Sequence, residues 1–412
     1  MAGGVGQDGD AMEKTIIPRI YDAVLKRHLE NDRQMAFVSG PRQVGKTTLT
    51  HSVATTFLNW DNDVQRRLIL GDMESLAQYA GAADLAARRR VLVLDELHHY
   101  PRWKNFLKGF FDTYGERIRV VVTGSARLDV YKRGGDSLMG RYFPYRLHPL
   151  SIGELLHPIL SESEIRPPSP PRDGDWDALL RFGGFPEPFF RKNSAFLRRW
   201  HRLRMEQLVR GDIRDATRIV ELGQVETLAQ ILSERSGDQI VYSSLAADVR
   251  TSEVTVRNWI ATLNAFFLGF SVPPWSARIA NSIRKTPKWY ARDWSGIEDE
   301  GKRNETFIAC HLLKAVEFWT DTGLSDCSLF YLRDKQKREV DFLVTKDRRP
   351  WFLVEAKTRD TALSPSLAYM QKATGAPHAF QVVMDLPYVD VDPFSRTDPV
   401  IVPARTFLSQ LP

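Results

Sequence analysis

The sequence predicts an α/β architecture in more than one domain, and three observations carry that expectation. The chain has 412 residues, whereas an ordinary domain takes roughly 150, so a single core does not suffice. Short apolar runs at Met35–Ser39, Leu68–Leu70, Val91–Leu94 and Arg117–Val122 alternate with helical or polar segments, the rhythm of a parallel sheet covered on both faces. Hydrophobic residues at 43% and charged residues at 26% match soluble globular chains and exclude wholesale disorder or a fibrous rod.

The elements follow in order. An amphipathic helix over Tyr21–Glu30 precedes the first strand, and the α/β unit is expected to end near Leu150. The Pro-rich, acidic stretch 161–175, with Pro167, Pro168, Pro170 and Pro171, reads as an exposed loop or linker. From Trp176 to about Arg218 the pattern is helical, broken by the turn at Gly183–Pro186. Between Arg191 and Arg218 nine Lys or Arg face three Asp or Glu, with Phe196, Trp200 and Leu203 as the packed face. This basic helix is either a solvated surface or a nucleic-acid contact.

The run Tyr242–Leu263 has the rhythm of a helix-turn-helix. Leu245 and Val249 bury the first helix, Ser252-x-x-Thr255 opens the second, and Val256, Trp259 and Leu263 line its inner face. Glu253, Thr255, Arg257 and Asn258 then project outward as candidate groove readers, though such modules also pack against protein. A last segment mixes Arg284, Lys285, Lys288, Trp289 and Tyr290, followed by a helix over Asn304–Phe318. Three strands are expected after it, at Leu329–Arg333, Glu339–Thr345 and Trp351–Lys357. The expected division is 1–150 with a disordered tail at 1–13, 151–220 as a helical lid and linker, 221–278 as a winged-helix domain, and 279–412 as a second α/β domain.

Lys plus Arg at 57 against Asp plus Glu at 51 leaves a net charge of +6, which permits a nucleic-acid partner without requiring one. Cys310 and Cys327 are too few for a disulfide framework, so a reducing cytoplasm is expected. The first residues, MAGGVGQDGDAMEK, show no secretory pattern. The uncharged run Asn258–Ala277 is interrupted by Asn264, Gly269, Pro273 and Pro274, so a helix followed by strands is expected there and no membrane span.

The strongest chemical signal is Gly40-Pro-Arg-Gln-Val-Gly45-Lys46-Thr47, which fits GxxxxGK[ST] directly after a strand and before a helix. Glycines let backbone N–H groups turn inward around phosphates, Lys46 supplies a point charge, and the Thr47 hydroxyl ligates Mg²⁺. The expected ATP contacts are Gly40, Pro41, Arg42, Gln43, Val44, Gly45, Lys46, Thr47 and Thr48. A buried strand ending in Asp95-Glu96 supplies the rest: Asp95 on the Mg²⁺ side, Glu96 as the base that polarises water. Ser125, at the carboxyl edge of the next strand, is a candidate γ-phosphate sensor. Arg127 and, better, Arg141 are candidates for an arginine that stabilises transition-state charge in cis or from a neighbouring subunit. His98 and His99 are expected to point apart and to face solvent or serve polar packing, not a metal site.

With these residues in hand the chain resembles the AAA-type ATPases of bacteria and archaea that carry an uncharacterised C-terminal domain related to PD-(D/E)XK nucleases. The resemblance runs through GPRQVGKT, LVLDELHHYPRWKNFLKGFFD, VVVTGSARL, SLMGRYFPYRLHPLSIGEL and GGFPEPF, then RKTPKWYARDW, NETFIACHLL, REVDFLV and VEAK. It implies an additional-strand (ASCE) P-loop ATPase with a parallel sheet, a helical and winged-helix connector, and a restriction-endonuclease-like α/β domain. Carried over by residue, it implies catalytic roles for Glu305, Asp341, Glu355 and Lys357. Asp341 and Glu355 would ligate Mg²⁺ for possible DNA cleavage, and Gln371 is a further candidate for the same pocket. In a strand, residues two apart share a face, so Glu355 and Lys357 are expected to project together toward Asp341. Duplex or branched DNA is the expected partner and a homo-oligomer such as a hexameric ring the expected assembly. The alternative is an ATP-switched signalling or scaffold protein that grips a protein partner.

Overall fold

A computed structural model describes residues 17–83, 90–124, 138–276 and 286–412. Its first sheet is formed by β1 (Met35–Ser39), β2 (Thr56–Asn59), β3 (Arg90–Asp95), β4 (Ile118–Gly124) and β5 (Tyr142–Arg146). The order is β2-β3-β4-β1-β5 and every pairing is parallel. β1, β3 and β4 are buried along nearly their whole length, as strands covered on both faces must be. Ala36 and Val38 face one core, while Met35 and Phe37 face the other.

The run Leu68–Leu70, expected as a strand, is instead the end of a helix over Asp63–Leu70. Asn62 caps that helix by accepting from the amides of Val64 and Gln65. Of the three residues only Ile69 is buried and Leu70 is exposed, which is a helical and not a sheet burial pattern. The second strand is Thr56–Asn59, whose mixed composition hides it from a hydrophobicity count.

The connector contains helices Leu222–Glu234, Tyr242–Asp248 and Glu253–Ala265, then a two-stranded antiparallel sheet of β6 (Gly269–Val272) and β7 (Lys288–Ala291). Ser252 caps the third helix, accepting from Thr255 N. Val256, Trp259 and Leu263 are buried beneath it, as their spacing requires. A Cβ on Gly269 would lie 2.0 Å from the Trp289 ring, so only glycine lets the two strands close there. β7 lies in the segment assigned above to 279–412, so this sheet is built from both sides of the expected boundary.

The second large sheet comprises β8 (Cys327–Arg333), β9 (Glu339–Lys346), β10 (Arg349–Lys357), β11 (His378–Val383) and β12 (Val400–Pro403), in the order β12-β11-β10-β9-β8. β8, β9 and β10 form an antiparallel meander; β11 and β12 join in parallel. Helix Pro365–Thr374 supplies Leu367 and Met370 to one face, against Leu343 and Leu353. The 22-residue helix Glu300–Asp321 covers the other, against Phe342, Val344, Phe352 and Val354.

That second core does not stop at the domain edge. It runs without a break from Ile20 through the connector to Leu411, so one face of the first sheet and one face of the last share a single apolar interior. The Pro-rich stretch is likewise not the exposed linker expected. It lacks regular structure, yet Arg166 is buried and exchanges backbone and amide hydrogen bonds with Gln410, Ser169 N donates to Ser409 Oγ, and Glu164 pairs with Lys346 at 2.5 Å. Ser409 and Gln410, at the end of the final helix Ala404–Ser409, and Lys346 on β9 provide the partners. Among the described residues no helix is long and apolar enough to cross a membrane.

Candidate functional site

At the carboxyl end of β1 the chain turns through Gly40–Gly45 into helix Lys46–His51. Gly45 (φ 101°) and Gln43 (φ 62°) are left-handed. A Cβ on Gly40 would meet the Leu147 carbonyl oxygen at 2.4 Å. This is a cradle that side chains would fill. Lys46 is buried within it, and its Nζ donates to the carbonyls of Gly40 and Pro41, both at 2.9 Å. Burial lowers the Lys46 pKa, opposed by the nearby carboxylates of Glu96 and Asp95.

β3 delivers Asp95 to the same point. The Thr47 hydroxyl donates to Asp95 Oδ2 at 3.2 Å, Asn59 Nδ2 reaches the same oxygen at 3.3 Å, and the Thr123 hydroxyl donates to Oδ1. An all-oxygen set of one hydroxyl and one buried carboxylate beside a phosphate cradle suits Mg²⁺, so these residues fit the expected ion. Glu96 follows in a left-handed conformation (φ 55°), with its amide donating to Thr123 Oγ1 at 3.3 Å. Burial raises its carboxyl above the usual range, partly offset by Lys46.

Glu96 also gathers His98 and His99, contrary to the expectation that the histidines diverge. The short 3₁₀ turn Leu97–His99 brings the rings to 4.1 Å between centroids, buries His98, and sets its Nδ1 3.2 Å from Glu96 Oε2. One ligand atom from each of the three lies within 4.8 Å of the others. Tight 3₁₀ winding, not the looser loop assumed from sequence, causes the approach. A cleft of about 250 Å³ opens beside them, lined by Arg42, Asp212 and Gly211 among others. Arg42 pairs with Asp212 at 2.6 Å, and burial pushes the Asp212 carboxyl up to about 6 in spite of that partner.

Arg141 is not brought to this site. Its backbone carbonyl accepts from Met35 N at the amino end of the sheet, opposite the cradle, and its guanidinium holds Asp112 at 2.8 and 3.0 Å. A role in cis is therefore excluded by its position in the strand order. Ser125 and Arg127 lie outside the described residues.

Sequence reasoning missed Arg19. Its Nη1 donates to the Val44 carbonyl inside the cradle at 3.0 Å, and Nε and Nη2 clasp Glu154 at 2.9 and 3.1 Å. Glu154, fully buried, also accepts from Lys314 Nζ at 2.6 Å. Lys314 stands nine residues after Glu305 on the same helix, about 14 Å along its axis. Three elements far apart in sequence thus tie the phosphate turn to the C-terminal domain, and no local pattern marks them.

In that domain, Glu305, Asp341 and Glu355 come to one side of the sheet. Asp341 Oδ2 accepts from Ala356 N at 3.0 Å, and Lys357 Nζ pairs with Glu355 at 2.9 Å. Lys288 from β7 enters the middle: its Nζ is 2.8 Å from Glu339, 3.2 Å from Glu305 and 3.2 Å from Asp341. The Tyr290 hydroxyl donates to Glu305 at 2.7 Å. Burial raises the Glu305 and Glu355 carboxyls, with Asp341 adding to it. Burial opposes the charge on Lys288, but Asp341, Glu305 and Glu339 overcome it and hold the ammonium above its usual range. The Mg²⁺ expected here does not fit this arrangement, because a lysine nitrogen stands among its ligands. Gln371 turns away, donating to the carbonyl of Thr397 at 2.7 Å.

Residues 32–156 match the family model described as AAA domain. Residues 173–297 and 300–388 match two models described as domains of unknown function, DUF8612 and DUF4143. An uncharacterized protein of Mycobacterium tuberculosis is 22% identical over 371 residues, covering 85% of this chain and 77% of its own. One from Methanocaldococcus jannaschii is 22% identical over 298 residues, covering 64% and 61%. Among solved structures, the Aeropyrum pernix ORC2 protein superposes with a TM-score of 0.40 at 12% identity, covering 73% of this chain and 97% of that one. The parallel sheet, the phosphate turn and the match over 32–156 define the first unit as a P-loop domain of the AAA type.

Proposed function

We propose that the chain hydrolyses ATP and uses the nucleotide state to control its grip on DNA. One observation carries the reading: Lys46, Thr47, Asp95 and Glu96, from two segments 50 residues apart at their outer members, converge on one glycine-lined turn. On binding a triphosphate, Lys46 exchanges the Gly40 and Pro41 carbonyls for phosphate oxygens. Thr47 and Asp95 would hold Mg²⁺, which would supply charge neutralisation at the β and γ phosphates. Glu96 accepts a proton from the attacking water as its oxygen bonds to the γ-phosphorus and the bond to the β-phosphate oxygen breaks, releasing ADP. Its raised pKa makes it a stronger base for that transfer.

The DNA part of the reading is supported by exposed Arg198, Arg199 and Arg202 on helix Ser194–Glu206 and by Arg257 and Asn258 on helix Glu253–Ala265. The order of that helix, the shorter helix before it and the two-stranded sheet after it supports a winged-helix reading of the segment. Binding or remodelling suits the C-terminal pocket better than cleavage does, since Lys288 stands among its carboxylates. The same observation favours a second reading, an ATP switch whose connector and C-terminal domain grip a protein.

ATPase assays on the purified chain, with and without linear, forked and four-way DNA, separate them. Stimulation that Lys46→Ala removes, with DNA affinity falling steeply as salt rises, supports the first. Turnover without any response to, or binding of, DNA leaves the second.

A further inference from the structure

The acid pocket of the C-terminal domain is complete as it stands. An ammonium offers three N–H donors, and Lys288 has three carboxylate acceptors at 2.8–3.2 Å, from Glu305 on the long helix and from Glu339 and Asp341 on β9. The lysine side chain is 5% exposed, so water does not share in its coordination to any extent. Two of these carboxylates hold a further donor: Asp341 Oδ2 accepts from Ala356 N, and Glu305 Oε1, which already takes Lys288, also takes the Tyr290 hydroxyl, two residues along β7 on the same face as Lys288. A divalent ion needs several oxygens at about 2.0–2.6 Å, and it would have to draw them from around a fixed positive charge. Glu355 Oε2 is buried and has no hydrogen-bond partner, which marks the place a second cation would use if the lysine left.

We propose that Lys288 is the resident cation of this pocket, taking the place of a divalent metal and latching the connector sheet to the C-terminal domain. The lysine does not belong to the sheet whose acids it neutralises. β7 pairs with β6, Val272 lying opposite Lys288, and Gln239 bridges to the same residue. The state of the pocket therefore follows the position of the connector: with the sheet docked the acids hold an ammonium, and with it withdrawn they are left to a metal ion. This goes beyond the ATPase reading and does not depend on it.

The test uses the full chain without nucleotide and Mn²⁺ as the probe, followed by electron paramagnetic resonance and calorimetry. Lys288→Met is expected to gain one Mn²⁺ per chain, bound at least about tenfold more tightly than wild type binds it, and Lys288→Met/Asp341→Asn to lose it again. Where Lys288→Met does not fold, Lys288→Gln is read in the same way. The proposal is overturned if wild type already binds Mn²⁺ at a site that Asp341→Asn removes, or if folded Lys288 variants gain none. Lys46→Ala is expected to behave as wild type in this assay, so failure here is distinguishable from failure of the nucleotide site.

Discussion

Replacing Glu154 with Gln tests the joint between the two halves of the molecule. The carboxylate is wholly buried and accepts from four donors: Ile20 N, Arg19 Nε and Nη2, and Lys314 Nζ. Glutamine keeps one acceptor, turns an NH₂ toward the cations, and leaves Arg19 and Lys314 charged and nearly water-free. Removing one partner of a buried ionic cluster costs about 3–5 kcal/mol. An independent route gives a similar size. Burial pushes the Glu154 carboxyl up, but Arg19 and Lys314 overcome it and hold the pKa at about 2, against 4.5 for a free carboxyl. That depression is worth about 3 kcal/mol.

Lys314 moves the other way: burial outweighs Glu154 and holds its pKa down to about 8. The carboxylate is the better gauge, since it faces two cations while Lys314 shares one anion. The folded pKa of Glu154 being depressed, its contribution is full above about pH 4.5 and is lost as pH falls toward about 2. Urea denaturation across pH 3–7, with Lys314→Met and the double variant, measures the cost and the coupling. A loss below about 1 kcal/mol at pH 7, or an acid limb unchanged in Glu154→Gln, would refute the reasoning.

Three more outcomes are expected. Lys46→Ala loses nucleotide binding, while Glu96→Gln keeps it and slows turnover by about 10²–10⁴-fold, read from fluorescent-nucleotide titration beside phosphate release. Gly269→Ala drives a Cβ into Trp289 and the Tyr290 carbonyl, destabilising the connector sheet by about 1–3 kcal/mol in thermal melts. Substituting Arg198, Arg199 and Arg202 with Ala weakens DNA binding across sequences, and the slope of log affinity against log salt falls by about one for each phosphate no longer neutralised.

Much of the nucleotide site is legible in the sequence because its chemistry is local. Gly40 to Thr47 are contiguous, and the strand ending in Asp95-Glu96 announces itself as four apolar residues followed by two acids. The two strands and the helix that carry Glu305, Asp341, Glu355 and Lys357 are legible for the same reason: their periodicity lies within each segment. The misses share the opposite property. Arg141 stands in a suggestive run, but which end of the sheet it occupies depends on parallel pairing with β1. His98 and His99 read as divergent because a 3₁₀ turn cannot be told from an open loop by composition.

The sequence by itself determined the phosphate turn, the paired acids that end the buried strand beside it and the strand-borne carboxylates, since each is a short pattern enforced by backbone geometry. The tertiary structure alone decided that Arg19, Glu154 and Lys314 join the cradle to the C-terminal helix, and that Lys288 enters the acid pocket from a strand of the smaller sheet. Both are buried charge contacts between segments far apart in the chain. Such contacts obey no spacing rule, because their partners are chosen by how the packed elements meet.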